Sequence, residues 1–176
     1  TGKSQKQSKA GICIQSSNED EKNNYCRFRR KKITACILSF MKTIHSYLTF
    51  NGNCREAMTF YQKCLGGELS FQTIGESALS GKMPAKMKKC ILHSELRNGK
   101  IVLFGSDIVS GKKLLKGNAV SLALICKSEK DIRRYYTNLS RDGEETFSLQ
   151  ENFLSTICGE LTDKFGNNWI LYLQHK

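Results

Sequence analysis

Two stretches of this chain repeat one pattern, and a repeat constrains architecture more firmly than any single propensity does. The first opens with Thr43–Phe50, a β-rich run broken by Asn51-Gly52-Asn53. Asn53, with Glu56 three residues on, has the spacing of a capping box. Ala57, Phe60, Tyr61, Cys64 and Leu65 then recur at helical spacing, giving an amphipathic helix one apolar stripe that Gly66-Gly67 ends. Strands are predicted at Glu68–Ile74, Lys89–Leu96 and Lys100–Ser106, the last two joined by a turn at Asn98-Gly99. The second stretch follows the same order. Val120–Cys126 reads as a strand, Ser128 with Asp131 caps a helix striped by Ile132, Tyr135, Tyr136 and Leu139, and Arg141-Asp142-Gly143 closes it. Strands follow at Glu144–Leu149, Cys158–Thr162 and Asn168–Leu173.

Corresponding features keep nearly constant offsets. Phe60-Tyr61 and Tyr135-Tyr136 differ by 75, Gly67-Glu68 and Gly143-Glu144 by 76, Glu95-Leu96 and Glu160-Leu161 by 65, and the turn glycines Gly99 and Gly166 by 67. The chain therefore reads as an α+β protein of two βαβββ modules, at about 43–107 and 118–174. One module alone leaves a bare sheet face. Two side by side can curl into a cupped mixed sheet, with the helices on the outer face and a cavity within.

Residues 1–40 lie outside this pattern. They hold nine Lys or Arg against three acids, half of the chain's net charge of +12, in a polar and aperiodic stretch. The basic run Arg29-Arg30-Lys31-Lys32 precedes the apolar Ile33–Phe40, but too far in for a signal peptide, and no small-residue cleavage site follows. We read 1–40 as a basic, disordered or non-native extension and 41–176 as the domain, with a natural start at Met41. Charges interrupt every apolar run before it reaches bilayer-spanning length, so no membrane partner is expected. The eight cysteines form no C-x-x-C and no zinc-finger spacing with histidine, which fits a reduced, cytoplasmic setting.

Nucleotide motifs fail on inspection. Gly75 to Met83 and Gly105 to Lys113 lack P-loop spacing, and no G-x-G-x-x-G occurs. Lys82, Lys86, Lys88 and Lys89, like Lys112, Lys113 and Lys116, read as solvated loops without the interleaved aromatics of a nucleic-acid surface. A basic tail gripping nucleic acid through residues 1–40 is the least favoured reading.

The segment Tyr47-Leu48-Thr49-Phe50-Asn51-Gly52-Asn53-Cys54-Arg55-Glu56-Ala57, with Phe60-Tyr61 and Leu65-Gly66-Gly67-Glu68-Leu69, opens a set of ordered motifs. His93-Ser94-Glu95-Leu96, Gly105-Ser106-Asp107, Gln150-Glu151-Asn152-Phe153 and Leu161-Thr162-Asp163-Lys164-Phe165-Gly166 with Trp169 complete it. Over roughly 43–174 the chain resembles the PhnB-like branch of the vicinal oxygen chelate superfamily, which includes glyoxalase I, bleomycin-resistance proteins and extradiol dioxygenases. The resemblance implies paired βαβββ modules and a homodimer. Some members carry a ubiquinone-methyltransferase label, but no residues here mark a site for a methyl donor. Leu154-Ser155 stands where relatives commonly have Trp-Gly.

The resemblance also implies where a divalent metal would sit. His45 matches the first ligand of glyoxalase I, the repeat offset gives Val120, and the last-strand alignment gives Ile170 with Leu103 as its first-module counterpart. A one-residue slip brings in Ser121. One imidazole among aliphatic side chains falls short of the three or so donors a catalytic metal needs, so no metal and no cofactor are predicted. His45, Tyr47, Leu103, Val120, Phe153, Trp169, Ile170 and Tyr172 are the candidate ligand-binding residues. The expected function is binding of an unidentified neutral or anionic small molecule, since a basic domain repels a polycation such as bleomycin. The alternative is a glyoxalase-like, metal-dependent lyase or related enzyme using His45, His93 and Glu95, the last two sharing a strand face as a candidate acid–base pair.

Overall fold

The structure is a computed structural model that describes residues 42–108, 114–152 and 156–174. All the elements below lie in the second of two units into which the chain divides, Ile44–Lys176. In chain order they are β1 (Ser46–Phe50), α1 (Cys54–Leu65), β2 (Glu68–Thr73), β3 (Ile91–Asn98), β4 (Ile101–Asp107), β5 (Ser121–Cys126), α2 (Glu129–Leu139), β6 (Glu144–Glu151), β7 (Ile157–Thr162) and β8 (Asn168–Leu173). Two short 3-10 turns, Ser80–Lys82 and Ala85–Met87, punctuate the β2–β3 connection. Two βαβββ modules are thus present, the α+β architecture expected from the repeat. Among the described residues no helix is long and apolar enough to cross a membrane.

Each module is a mixed four-stranded sheet, ordered β1-β4-β3-β2 and β5-β8-β7-β6. β1 runs parallel to β4 and β5 parallel to β8, and the other pairs are antiparallel. The ladders form two separate sheets rather than one continuous eight-stranded sheet.

Strand alternation assigns the faces. In the first sheet Leu48, Phe50, Leu96 and Leu103 pack in the core with the α1 stripe Ala57, Met58, Tyr61, Cys64 and Leu65. In the second, Leu124, Leu161, Trp169 and Leu171 pack with Ile132, Tyr136 and Leu139 of α2. One apolar cluster spans both modules. Gly105 and Gly159 make the close approach of helix to sheet possible. A Cβ at Gly105 would lie 3.0 Å from the Met58 sulfur, and one at Gly159 would lie 2.8 Å from the Tyr136 ring.

The predicted capping box on α1 is not formed. Asn53 stands at the cap position but makes no capping side-chain bond. Instead Asp107, 5% exposed at the end of β4, accepts from Cys54 N at 3.0 Å through Oδ1 and from Ile91 N at 2.8 Å through Oδ2. A carboxylate delivered by the sheet replaces the local cap, and it favours the positive end of the helix dipole. Asp107→Ala leaves two buried amides without their acceptor and should cost about 2 kcal/mol in urea unfolding. On α2 the expected cap is present: Ser128 Oγ accepts from Asp131 N at 3.2 Å.

Gly67, between the α1 cap Gly66 and β2, has no room for a side chain. Its φ is +98°, and an added Cβ would lie 2.4 Å from the carbonyl oxygen of Arg97, a backbone atom with nowhere to go. Gly67→Ala should cost about 2–3 kcal/mol, read by denaturant midpoint at unchanged slope.

Candidate functional site

The edge strands β1 and β5 flank a seam between the modules. Ile44, His45 and Ser46 line one cavity with Leu124, Ile125 and Lys127, whereas Tyr47, Leu48 and Thr49 line a second with Val120 and Leu122. The edges therefore run past each other in opposite senses. The first cavity measures about 770 Å³ and the second about 300 Å³, and the first lies well within the range of small-molecule sites. Its walls are chiefly aliphatic, from Leu65, Ile101, Val102, Leu103, Leu122 and Leu124, with Trp169 and Tyr172.

The predicted ligand-binding residues divide among several places. His45, Leu103, Trp169 and Tyr172 line the large seam cavity. Tyr47 and Val120 line the small one. Ile170 alternates with the core residues Trp169 and Leu171, which turns it to the face of its sheet away from α2. Phe153 lies outside the described residues, as do Lys112 and Lys113.

Two metal-position assignments are corrected by the ladders. Leu96 pairs with Leu103, which pairs with Ser46; in the second module Leu161 pairs with Trp169, which pairs with Leu122. Leu103 is thus equivalent to Trp169, and both are core residues on the helix side. Phe104, not Leu103, is the counterpart of Ile170, and Ser121, not Val120, is the counterpart of His45. Val120 precedes β5 and is 78% exposed. The error has a physical source. The β5–α2 connection is one residue shorter than β1–α1, and the β7–β8 turn is one residue longer between paired positions than β3–β4. A single-residue slip exchanges the two faces of a strand.

The corrected set is His45, Phe104, Ser121 and Ile170: one imidazole, one hydroxyl and two hydrocarbon side chains. That donor set does not fit a divalent ion, which needs about three nitrogen, oxygen or sulfur ligands. His45 instead meets the edge of Phe104, with ring centroids 5.6 Å apart.

His93 and Glu95 share the face of β3 opposite the buried Ser94 and Leu96, as alternation predicts. Their surroundings differ. The His93 ring sits 5.4 Å from Phe104 and 6.0 Å from Tyr47, whereas the Glu95 carboxylate accepts from the Arg97 guanidinium. That ion pair engages the carboxylate an acid–base pair would need.

The hallmark segment around Asp163 turns out to be a structural staple between modules. Asp163 is 3% exposed and accepts from four groups. Tyr61 OH at 2.7 Å and Trp169 Nε1 at 2.8 Å reach Oδ2, and Phe165 N at 2.9 Å and Asn167 N at 3.0 Å reach Oδ1. Burial, then the adjacent Asp163 charge, push the Tyr61 phenol far above its ordinary range. Lys116, read from sequence as a solvated loop residue, is exposed as expected, with its ammonium held against the β7–β8 turn. It donates to Asn167 Oδ1 at 2.7 Å and stands 5.1 Å from the Phe50 ring, and burial lowers its pKa. Reading the sequence missed this lysine, and also Lys100 and Lys127 on the seam cavity; no local pattern marks any of the three.

Comparison with known proteins follows the same outline. A sequence profile of the family described as 3-demethylubiquinone-9 3-methyltransferase matches residues 42–172. The chain belongs to this PhnB-like family. A glyoxalase/bleomycin resistance protein from Albidiferax ferrireducens T118 shares the fold at 12% identity and a TM-score of 0.52, covering 75% of this chain and 98% of its own. Protein YjdN of Escherichia coli strain K12 is 31% identical over 138 residues, covering 71% of this chain and 90% of YjdN. The crystal structure of PA1353 from Pseudomonas aeruginosa, at 30% identity and a TM-score of 0.69, covers 77% of this chain and 100% of its own. The PhnB protein of Bacillus cereus shares the fold at 24% identity and a TM-score of 0.62, covering 76% of this chain and 100% of its own. The Asp163 staple gives the segment Leu161–Gly166 with Trp169 a physical role in this chain. The carboxylate in the β7–β8 turn needs Tyr61 from one module and Trp169 from the other.

Proposed function

We propose that this protein is a metal-independent small-molecule-binding member of the glyoxalase/bleomycin-resistance superfamily, its ligand neutral or anionic and its site the large seam cavity. The observation that carries the reading is the convergence of His45, Leu103, Trp169 and Tyr172 on one largely apolar space of about 770 Å³, a size and lining suited to a small ligand. The corrected donor set argues against a lyase or dioxygenase built on a bound metal. The Glu95–Arg97 pair argues against metal-free acid–base chemistry at His93. A cytoplasmic setting and assembly as a homodimer belong to the same reading. Free Cys54, Cys64, Cys90, Cys126 and Cys158 support the former. Exposed Tyr47, Ile125, Phe147 and Tyr172 support the latter.

The test uses 8-anilinonaphthalene-1-sulfonate as a fluorescent probe of the full chain. Saturable binding at one equivalent is expected, weakened at least about tenfold by Ala123→Trp, which fills the cavity from β5. The absence of saturable binding, or an unaffected Ala123→Trp variant, would sink the reading. Stoichiometric uptake of nickel or zinc in equilibrium dialysis, abolished by His45→Ala, would overturn its metal-independent part.

A further inference from the structure

The lining of the seam cavity carries a sign. Among the described residues that line it, the charged side chains are Lys100 and Lys127, with no aspartate or glutamate. Lys100 comes from the β3–β4 turn in the first module and Lys127 from the end of β5 in the second. Both are exposed, so their ammonium groups stand in water while the walls behind them are hydrocarbon. Such a space offers three distinct energetic responses to one apolar tail. The tail gains by burial whatever its headgroup. An anionic head gains further from two cations with no competing carboxylate, and a cationic head is repelled.

We propose that the cavity selects small amphiphilic carboxylates, the tail against Ile101, Leu122, Ile125 and Tyr172 and the carboxylate toward Lys100 and Lys127. The inference rests on the seam cavity being the ligand site and adds the chemical class that it takes. Recognition by exposed lysines is modest in strength, so charge sets the choice of headgroup and tail length sets most of the affinity.

Calorimetric titration of the full chain with octanoate, 1-octanol and octyltrimethylammonium separates these contributions, because the tail is constant. Octanoate should bind about tenfold more tightly than octanol, and octyltrimethylammonium most weakly. Decanoate should bind about fifteenfold more tightly than octanoate, the gain of two buried methylenes. Lys100→Met and Lys127→Met, which keep an apolar stem, should each weaken octanoate about fivefold and leave octanol within twofold. If octanol matches octanoate, or neither lysine variant alters octanoate binding, the carboxylate inference falls while the ligand-site reading stands. If none of the three amphiphiles binds the wild-type chain, both fall.

Discussion

Asp163→Ala should unfold this protein more readily than any other single side-chain truncation described above, at a cost of about 3–5 kcal/mol. The carboxylate is buried and accepts from four donors, of which the Tyr61 hydroxyl and the Trp169 indole come from different modules. Truncation strands the buried Tyr61 hydroxyl and Trp169 indole and frees the part-buried amides of Phe165 and Asn167, and a buried polar group left unpaired costs about 1–3 kcal/mol. The sum is reduced by relaxation, since the turn that carries Phe165 and Asn167 can move toward solvent. In a domain of this size the melting temperature should fall by about 10 °C or more. Tyr61→Phe removes one donor and leaves the carboxylate three, so it should cost only about 1 kcal/mol. A double-mutant cycle between the two positions should show coupling, because once Asp163 is gone Tyr61→Phe loses only the bond its hydroxyl accepts from Asn167 Nδ2. Loss of less than 1 kcal/mol in Asp163→Ala would mean that the modules are held by apolar packing alone.

Stability should also collapse at alkaline pH. Burial pushes the thiols of Cys54, Cys64 and Cys126 from 9.0 up to about 11, and the Tyr136 hydroxyl from 10.0 up to about 12. Nearby carboxylates add to the rise, Asp107 at Cys54, Asp163 at Cys64 and Asp131 at Cys126. Each group is an acid whose folded pKa lies above its unfolded value. The folded chain therefore keeps protons that the unfolded chain releases, and the slope of unfolding free energy against pH is negative in that interval. The stabilisation is complete below about pH 9 and is lost as pH climbs through 11. Each fully shifted thiol steepens the fall by up to about 1.4 kcal/mol per pH unit. Lys116 acts in the opposite direction, since burial lowers its pKa, but it is one group against five once the buried Tyr61 phenol is included. Urea unfolding at intervals from pH 8 to 11 should show the fall, and Cys126→Ala should make it shallower by about a quarter. A flat profile across that range would show that the three thiols are far better solvated than their packing indicates.

Much of the fold is legible along the chain because its signals are local. The α1 stripe from Ala57 to Leu65 and the α2 stripe from Ile132 to Leu139 pack as their spacing requires. Strand alternation correctly puts His93 and Glu95 on one face. The Asp163–Trp169 segment stands out before its role is visible. The site is less legible. Offsets read from helices and turn glycines point to Leu103 and Val120, but they do not transfer to strands when a connection gains or loses one residue, and the ladders give Phe104 and Ser121 instead. Asn53 has the chemistry of a cap, yet Asp107, 53 residues beyond Cys54 along the chain, supplies the acceptor.

The order of residues alone therefore determined two βαβββ modules, the faces of their helices and the family they resemble, since each depends on side chains within a few positions of one another. Tertiary structure alone decided which strand residues are equivalent across the repeat, that Asp163 joins Tyr61 to Trp169, and that Lys100 and Lys127 border a single apolar cavity. Those relations are set by lateral ladders and by the meeting of two sheet edges, between groups far apart in the chain, and no local periodicity encodes them.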